Sequence, residues 1–144
     1  MRDKKLRLIL ITLTLVLIGF SSNAQKKDML GFTCYYGGTP SNSVIIIDSL
    51  VGTSNFQTIK KNLNSRKGSI QFLAIVICEY LVKIEKDSLS ESEIKIIKKA
   101  YSSKKKISVC SGCTNFDQIE LKELLNDKDS WRTITENRYK EMVE

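Results

Sequence analysis

Two consecutive apolar segments in the middle of the chain carry its clearest helical pattern. Residues 55–65 place apolar side chains at the i, i+3 and i+7 positions of a helix, which is typical of an amphipathic helix with one buried face. Residues 69–85 are apolar on nearly every side and form a run too long for an ordinary strand. We therefore predict two antiparallel helices, the second being the central, buried helix of the domain. A buried strand over residues 72–78 is the alternative.

Apolar residues on either side of this pair predict further helices. Residues 44–51 are compatible with a strand, but their apolar members share one arc of a helical wheel, so a helix is favoured. Ser90 and Glu93 match a capping box, in which the serine oxygen accepts the amide hydrogen three residues on. Isoleucines recur on one face after this box, and they predict an amphipathic helix that ends near Tyr101.

The C-terminal part of the chain contains two weaker helical patterns, over residues 117–125 and 130–143. Strand-like residues are confined to short extended segments near residues 30–36 and 107–110. The expected fold class is therefore mainly α, a small helical domain built around one buried helix.

The N-terminus has the three parts of a secretory signal peptide. Basic residues precede an apolar run over residues 8–20, and the small residues Ser22 and Ala24 stand where signal peptidase requires them. The apolar run is shorter than the roughly 20 residues that cross a bilayer. We predict a signal peptide over residues 1–24 and a single periplasmic or secreted domain over residues 25–144. An uncleaved N-terminal anchor is the alternative.

Cleavage also changes what the charge implies. The chain carries a formal net charge of +7, but the leader holds four basic residues and one acidic residue, so much of the excess is discarded with it. A weakly basic domain outside the cytoplasm is a poor candidate for binding nucleic acid. Without its leader, the domain is not expected to be an integral membrane protein.

The chain contains no histidine, and this absence narrows the possible chemistry. It removes Ser–His–Asp and Cys–His catalysis, which need an imidazole base. A zinc site would need four ligands, and only one close pair of cysteines is present. We expect no metal, no cofactor and no catalytic centre of these kinds.

Four cysteines belong to the predicted mature domain, and an even number outside the cytoplasm indicates disulfides. Three pairings are possible. We predict Cys110–Cys113 together with Cys34–Cys78, because the two close cysteines can meet through the geometry of a local turn.

The Cys110-Ser-Gly-Cys113 motif also supports a second hypothesis, thiol–disulfide exchange, with Cys110 as nucleophile and Cys113 as resolving thiol. Upstream lysines and a helix expected to begin near Asn115 would lower the pKa of the first thiol. Thioredoxin-like domains, however, place this motif early and build much of their sheet after it. Here the motif lies near the C-terminus, and the chain's single proline, Pro40, precedes it.

A run of lysines without an intervening acidic residue follows the capping box and is locally uneven in charge. Such a run is either the solvated side of a helix or a face for an acidic partner or for anionic lipid headgroups. The candidate binding residues are Lys95, Lys98, Lys99, Lys104, Lys105 and Lys106.

Residues 55–85 resemble a HEAT-type helical repeat. The resemblance implies a scaffold for protein contacts and no particular chemistry. We therefore predict an exported, non-catalytic protein-binding or scaffold module stabilised by disulfides, with a thiol–disulfide oxidoreductase as the alternative. The matching residues are Leu63-Asn64-Ser65 before the turn, with Phe72-Leu73-Ala74 and Glu79-Tyr80-Leu81 along the second helix.

Overall fold

The computed structural model describes residues 28–144, and the predicted signal peptide over residues 1–24 lies outside them. The described part contains six α-helices and a small three-stranded sheet, which confirms the mainly α prediction. In chain order the elements are β1 (Met29–Leu30), α1 (Asn42–Gly52), α2 (Phe56–Lys61), a 3-10 turn (Asn62–Asn64), α3 (Gly68–Lys83), α4 (Glu91–Ala100), β2 (Lys106–Ser111), β3 (Asn115–Glu120), α5 (Leu121–Asn126) and α6 (Trp131–Val143).

Helix α3 is the centre of the domain. Thirteen of its sixteen residues are buried, and α1, α2, α5 and α6 all pack against it. A helix covered on nearly every side is apolar all round, so the central buried helix predicted over residues 69–85 is confirmed as far as Lys83, and the alternative strand over 72–78 is wrong.

The N-terminus of α3 is capped by a residue that lies far away in the sequence. The carboxylate of Asp28 accepts hydrogen bonds from the backbone amides of Gly68 at 2.6 Å and Ser69 at 3.3 Å, and from the Ser69 hydroxyl. The Ser69 oxygen also lies 2.6 Å from that of Ser43 on α1. A carboxylate at this position satisfies amides that have no partner within the helix and opposes the positive end of the helix dipole.

The other helices follow the sequence patterns closely. Helix α1 covers the predicted 44–51 segment, and α2 with its 3-10 turn covers residues 56–64 of the predicted 55–65 segment. Both halves of the capping box are formed at the start of α4, between Ser90 and Glu93. No helix within residues 28–144 is long and apolar enough to cross a membrane.

The sheet is larger than predicted, because a hairpin replaces the start of an expected helix. Strand β2 pairs antiparallel with β3, from Lys106 opposite Glu120 to Ser111 opposite Asn115, while β1 joins the other side of β2 in parallel. The helix predicted over residues 117–125 is therefore wrong for 117–120, since those residues pair with β2, and α5 begins only at Leu121.

The first extended segment is shorter than predicted. Only Met29–Leu30 forms a strand within the expected segment near residues 30–36. Residues 35–38 form a tight turn instead, closed by paired backbone hydrogen bonds between Cys34 and Thr39. This turn lies against the tip of the hairpin, because the Tyr35 amide donates to the carbonyl of Gly112 at 3.2 Å.

Candidate functional site

The disulfide of the described chain joins Cys34 to Cys110, with their Cα atoms 5.6 Å apart. Both predicted pairings, Cys110–Cys113 and Cys34–Cys78, are therefore wrong. The pairing follows from the sheet, which brings the segment after β1 alongside the end of β2, where the Gly112 amide donates to the Thr33 carbonyl at 2.8 Å. Two cysteines that are close in space but far apart in the sequence leave no local pattern by which the pairing can be recognised.

The two remaining cysteines occupy opposite environments. Cys78 lies on α3 with 2% of its surface exposed, and burial raises the pKa of its thiol to about 12. Cys113 lies at the exposed tip of the hairpin, with its sulfur 3.8 Å from the carbonyl oxygen of Tyr35. With its raised pKa, the buried thiol of Cys78 is unreactive at neutral pH. Cys113 is therefore the accessible free thiol of residues 28–144.

The structure removes two features on which the hypothesis of thiol–disulfide exchange was based, a free Cys110 thiol and a helix after it. Cys110, the expected nucleophile, is 1% exposed and already bonded to Cys34. The helix that was expected to begin near Asn115 and to lower its pKa is absent, because β3 begins there instead.

The hairpin carries exposed aromatic side chains near its tip and beside it. All residues from Asn115 to Gln118 are exposed, although a strand usually buries one face. Phe116 is 47% exposed and Tyr35 53% exposed, and their ring centroids lie 5.7 Å apart. Tyr36 beside them is 89% exposed. Clustered exposed aromatic residues are a common mark of an interaction surface.

A groove of about 490 Å³ runs between the hairpin and the start of α6. Phe32 and Trp131 form an aromatic wall, with ring centroids 6.4 Å apart, and Ile134 is 49% exposed beside them. Asp117 is the one charged side chain among the described residues that line the groove, and it is exposed. We call this feature the hairpin groove; Val109, Ser111, Asn115 and Ile119 also line it.

Sequence reasoning missed the hairpin groove because residues 117–120 were expected to be helical. The residues of β3 lack the alternation of apolar and polar positions that marks a half-buried strand. The turn residues Ser111 and Gly112 were the available signal, since Gly112 has a φ of 69° at the hairpin tip.

The six lysines that were predicted as binding residues lie in different parts of the structure. Lys95, Lys98 and Lys99 are exposed on α4. Lys104 and Lys106 lie close enough to Glu120 to help lower the pKa of its carboxyl, although the hydrogen bond from Lys122 contributes more.

Lys105 is turned inward instead. Its Nζ donates to the side-chain oxygen of Gln71 at 2.7 Å and to the carbonyl of Ser65 at 3.2 Å. Together with Lys99 it lines a second cleft, of about 560 Å³. The predicted binding residues therefore form no single continuous face.

Comparison with protein families, with characterised proteins and with solved structures gives no match to this chain. Within residues 28–144 no group of cysteine and carboxylate side chains is arranged to hold a metal ion.

Proposed function

We propose that this protein is an exported, non-catalytic binding module that recognises an extended segment of another protein along β3. The observation that carries the proposal is the position of β3 at the edge of the sheet. In the described part of the chain it pairs with β2 on one side and with no strand on the other. A free edge presents amide and carbonyl groups that no neighbouring strand pairs, and an incoming strand can satisfy them. Two amides of β3 donate to side chains in the free protein, Gln118 to Asp117 at 2.7 Å and Glu120 to Glu123 at 3.3 Å, and an incoming strand would compete with these bonds wherever it needs the same amides.

The hairpin groove supplies the selectivity that backbone pairing lacks. Phe32 and Trp131 offer apolar contact to alternate side chains of an added strand. Asp117 offers a carboxylate and is the lining's one charge among the described residues. Because Asp117 attracts a basic side chain, we expect the bound segment to alternate basic and apolar residues.

The helical part of the domain supports this interpretation as a scaffold. Helices α2 and α3 form the pair that was likened to a HEAT-type repeat, and that likeness remains a prediction. The pair holds the core on which the sheet rests, because α3 contacts both β1 and β2.

Binding is tested with a short synthetic peptide that alternates valine and lysine, titrated into the isotope-labelled protein. Amide chemical shifts should change along β3 and the hairpin groove, and β3 amides should exchange more slowly with solvent. A peptide with glutamate in place of lysine should bind at least about fivefold more weakly because it is repelled by Asp117. Equal binding of both peptides, or shift changes confined to another face, would contradict the proposal.

A matched pair of variants locates the effect. Asp117→Lys should weaken binding of the lysine peptide by about tenfold, since it replaces attraction with repulsion. Glu141→Lys makes the same change of charge at an exposed position of α6 outside the groove. An equal loss in both variants would indicate net charge rather than a site.

Export is proposed on the pattern of the leader and is supported by the disulfide, since such bonds persist mainly in oxidising compartments. Intact mass of protein recovered from the bacterial periplasm should correspond to a chain that begins at Gln25. Ala24→Arg should block this cleavage, because signal peptidase needs a small residue there. Recovery of the uncleaved wild-type chain would contradict the proposal.

Thiol–disulfide exchange is the second candidate function, and the exposed thiol of Cys113 favours it. In that scheme the Cys113 thiolate attacks the Cys110 sulfur, a Cys110–Cys113 bond forms, and Cys34 leaves as a thiolate. Equilibration in glutathione buffers from about −120 to −300 mV, followed by alkylation and mass measurement, tests it. Opening between about −120 and −230 mV would support exchange, whereas bonds closed throughout would support a structural disulfide.

A further inference from the structure

A second concave surface lies away from the hairpin groove, where the end of α4 meets the 3-10 turn and the segment before β2. It is a cleft of about 560 Å³, and we call it the lysine cleft. No acidic side chain is present among the described residues that line it. Its lining consists of Asn64, Gln71, Ile96, Lys99, Ala100, Ser102, Ser103 and Lys105.

The donors that face the lysine cleft are only partly used within the domain. Lys105 donates two hydrogen bonds, to Gln71 and Ser65, and an ammonium group has three hydrogens to give. The Ser103 hydroxyl accepts from the Lys105 amide at 3.3 Å, so its own hydrogen stays available. Lys99 makes no side-chain hydrogen bond or ion pair within residues 28–144.

The charge in the lysine cleft is also uncompensated. The ion pairs of the described chain involve Lys60, Lys122, Arg132 and Arg138, and none involves Lys99 or Lys105. Lys105 is half-buried rather than fully solvated. Two positively charged side chains and free donors therefore line one concave surface that has no carboxylate among its described residues, which favours an anionic occupant.

We propose that the lysine cleft binds a phosphate group. A tetrahedral dianion matches two ammonium groups in charge and accepts several hydrogen bonds at once. The cleft is much larger than a single small ion, since one water occupies about 30 Å³, so the phosphate can carry an organic substituent. The site is independent of peptide binding along β3, because it shares no residue with the hairpin groove.

The first test is a titration of the isotope-labelled protein with sodium phosphate, at an ionic strength held constant with sodium chloride. Saturable shift changes should appear at the amides of Asn64, Ser103 and Lys105. Lys99→Gln should weaken binding about fivefold to tenfold, because it removes a charged donor. The matched control is Lys140→Gln, which removes the same charge from an exposed position of α6 outside the cleft.

Lys99→Gln carries the test because Lys99 has no bond within the described domain to lose. Lys105→Gln should abolish saturable binding, but it also removes two internal hydrogen bonds, so its thermal midpoint is measured beside its affinity. Lys98→Gln separates a cleft from a diffuse basic face, since Lys98 does not line the cleft. Equal weakening by Lys98→Gln and Lys99→Gln would overturn the proposal.

Two further arms identify the chemistry and source of the ligand. Sodium acetate at the same ionic strength should bind more weakly than phosphate, and equal, Lys99-dependent binding of acetate would overturn a phosphate site. Sedimentation with phosphatidylglycerol vesicles tests a lipid source. Vesicle binding that phosphate displaces indicates a lipid headgroup, and saturable phosphate binding without vesicle binding indicates a soluble phosphate ester; either result supports the site. Linear, unsaturated shifts with phosphate would overturn it.

Discussion

The guanidinium of Arg132 on α6 donates to the carboxylate of Glu79 on α3 at 2.8 Å, across 53 residues of chain. Tyr101, just after α4, donates its hydroxyl hydrogen to the same carboxylate at 2.9 Å and accepts a hydrogen bond from Arg132. Three helices are therefore tied together by one polar cluster, although every side chain in it comes from a different part of the sequence.

Breaking this cluster should destabilise the domain. The side chains of Arg132 and Glu79 are 16% and 26% exposed, so the cost should lie between that of a surface pair and that of a fully buried one. We expect Arg132→Met to lower the free energy of unfolding by about 2 kcal/mol in urea denaturation. Arg66→Met, at an exposed position without a side-chain partner in the described chain, is the control. An equal effect of both variants would contradict this account.

The cysteine assignment is open to direct chemical test. Under native conditions a thiol reagent should label Cys113 rapidly, and it should label Cys78 only after denaturation, because Cys78 is buried and burial raises its pKa to about 12. Peptide mapping should recover Cys34 linked to Cys110. Cys34→Ser should cost about 4.5 kcal/mol in the loop-entropy account of disulfides, whereas Cys113→Ser should change stability little. A peptide linking Cys110 to Cys113 would refute the assignment.

Gly31 leaves space for the disulfide because it has no side chain. A Cβ at this position would lie against both sulfurs and 2.7 Å from the carbonyl oxygen of Cys110. We expect Gly31→Ala to destabilise the domain by at least about 2 kcal/mol and to slow formation of the bond. Gly52→Ala adds the same methyl group where nothing lies within 4 Å, and it should be neutral or slightly stabilising. Thermal unfolding of both oxidised variants makes the comparison.

Asp28 should contribute to stability as the cap of α3. We expect Asp28→Ala to lower the free energy of unfolding by about 1–2 kcal/mol, since two amides lose their acceptor. Asp28→Asn should recover part of that loss, because an amide oxygen still accepts a hydrogen bond. Glu141→Ala removes a comparable charge from the exposed side of α6. If Asp28→Ala were no more destabilising than this control, the capping role would be wrong.

The Lys60–Asp87 ion pair makes stability depend on pH in acid. Burial raises the pKa of Asp87, but the hydrogen bonds from Lys60 at 2.6 Å and from the Ser88 amide outweigh it, so the pKa lies below its ordinary value. A carboxyl whose pKa is lower in the folded state stabilises the fold above its unfolded pKa of about 3.9 and loses that contribution as pH falls further.

Asp87→Asn should therefore flatten the loss of stability below about pH 4, as measured by urea denaturation across the acid range. Asp129→Asn serves as the control, because its carboxylate is exposed and accepts no hydrogen bond within residues 28–144. An unchanged slope in Asp87→Asn would show that other groups govern acid unfolding.

Local chemistry made the helices predictable. The capping box of Ser90 and Glu93 acts between residues three apart, and the all-round apolar character of α3 reflects its burial on every side. These patterns lie within a single turn or a single segment, so they can be recognised in the sequence without knowledge of the tertiary fold. The polar cluster of Arg132, Glu79 and Tyr101 has no such signal, because its members meet only after the helices have packed.

Strand β3 and the disulfide were not predictable for the same reason. The apolar group of α5, with Leu121 and Leu124, extends a plausible helical pattern backwards into residues that pair with β2 instead. The closeness of Cys110 and Cys113 in sequence favoured a local bond, but the hairpin places Cys110 beside Cys34. Among the candidate lysines, Lys99 and Lys105 share a cleft and the others do not line it. The sequence alone does not show this difference.

The Cys34–Cys110 bond spans 76 residues, and this span sets an order of events in time. A chain is synthesised from its N-terminus, so Cys78 is made before Cys110 and is the earlier possible partner of Cys34. In the folded domain Cys78 is enclosed on α3 with 2% of its surface exposed, which withdraws it from competition. Packing of the central helix therefore favours the Cys34–Cys110 bond over a Cys34–Cys78 bond, because it encloses the competing thiol.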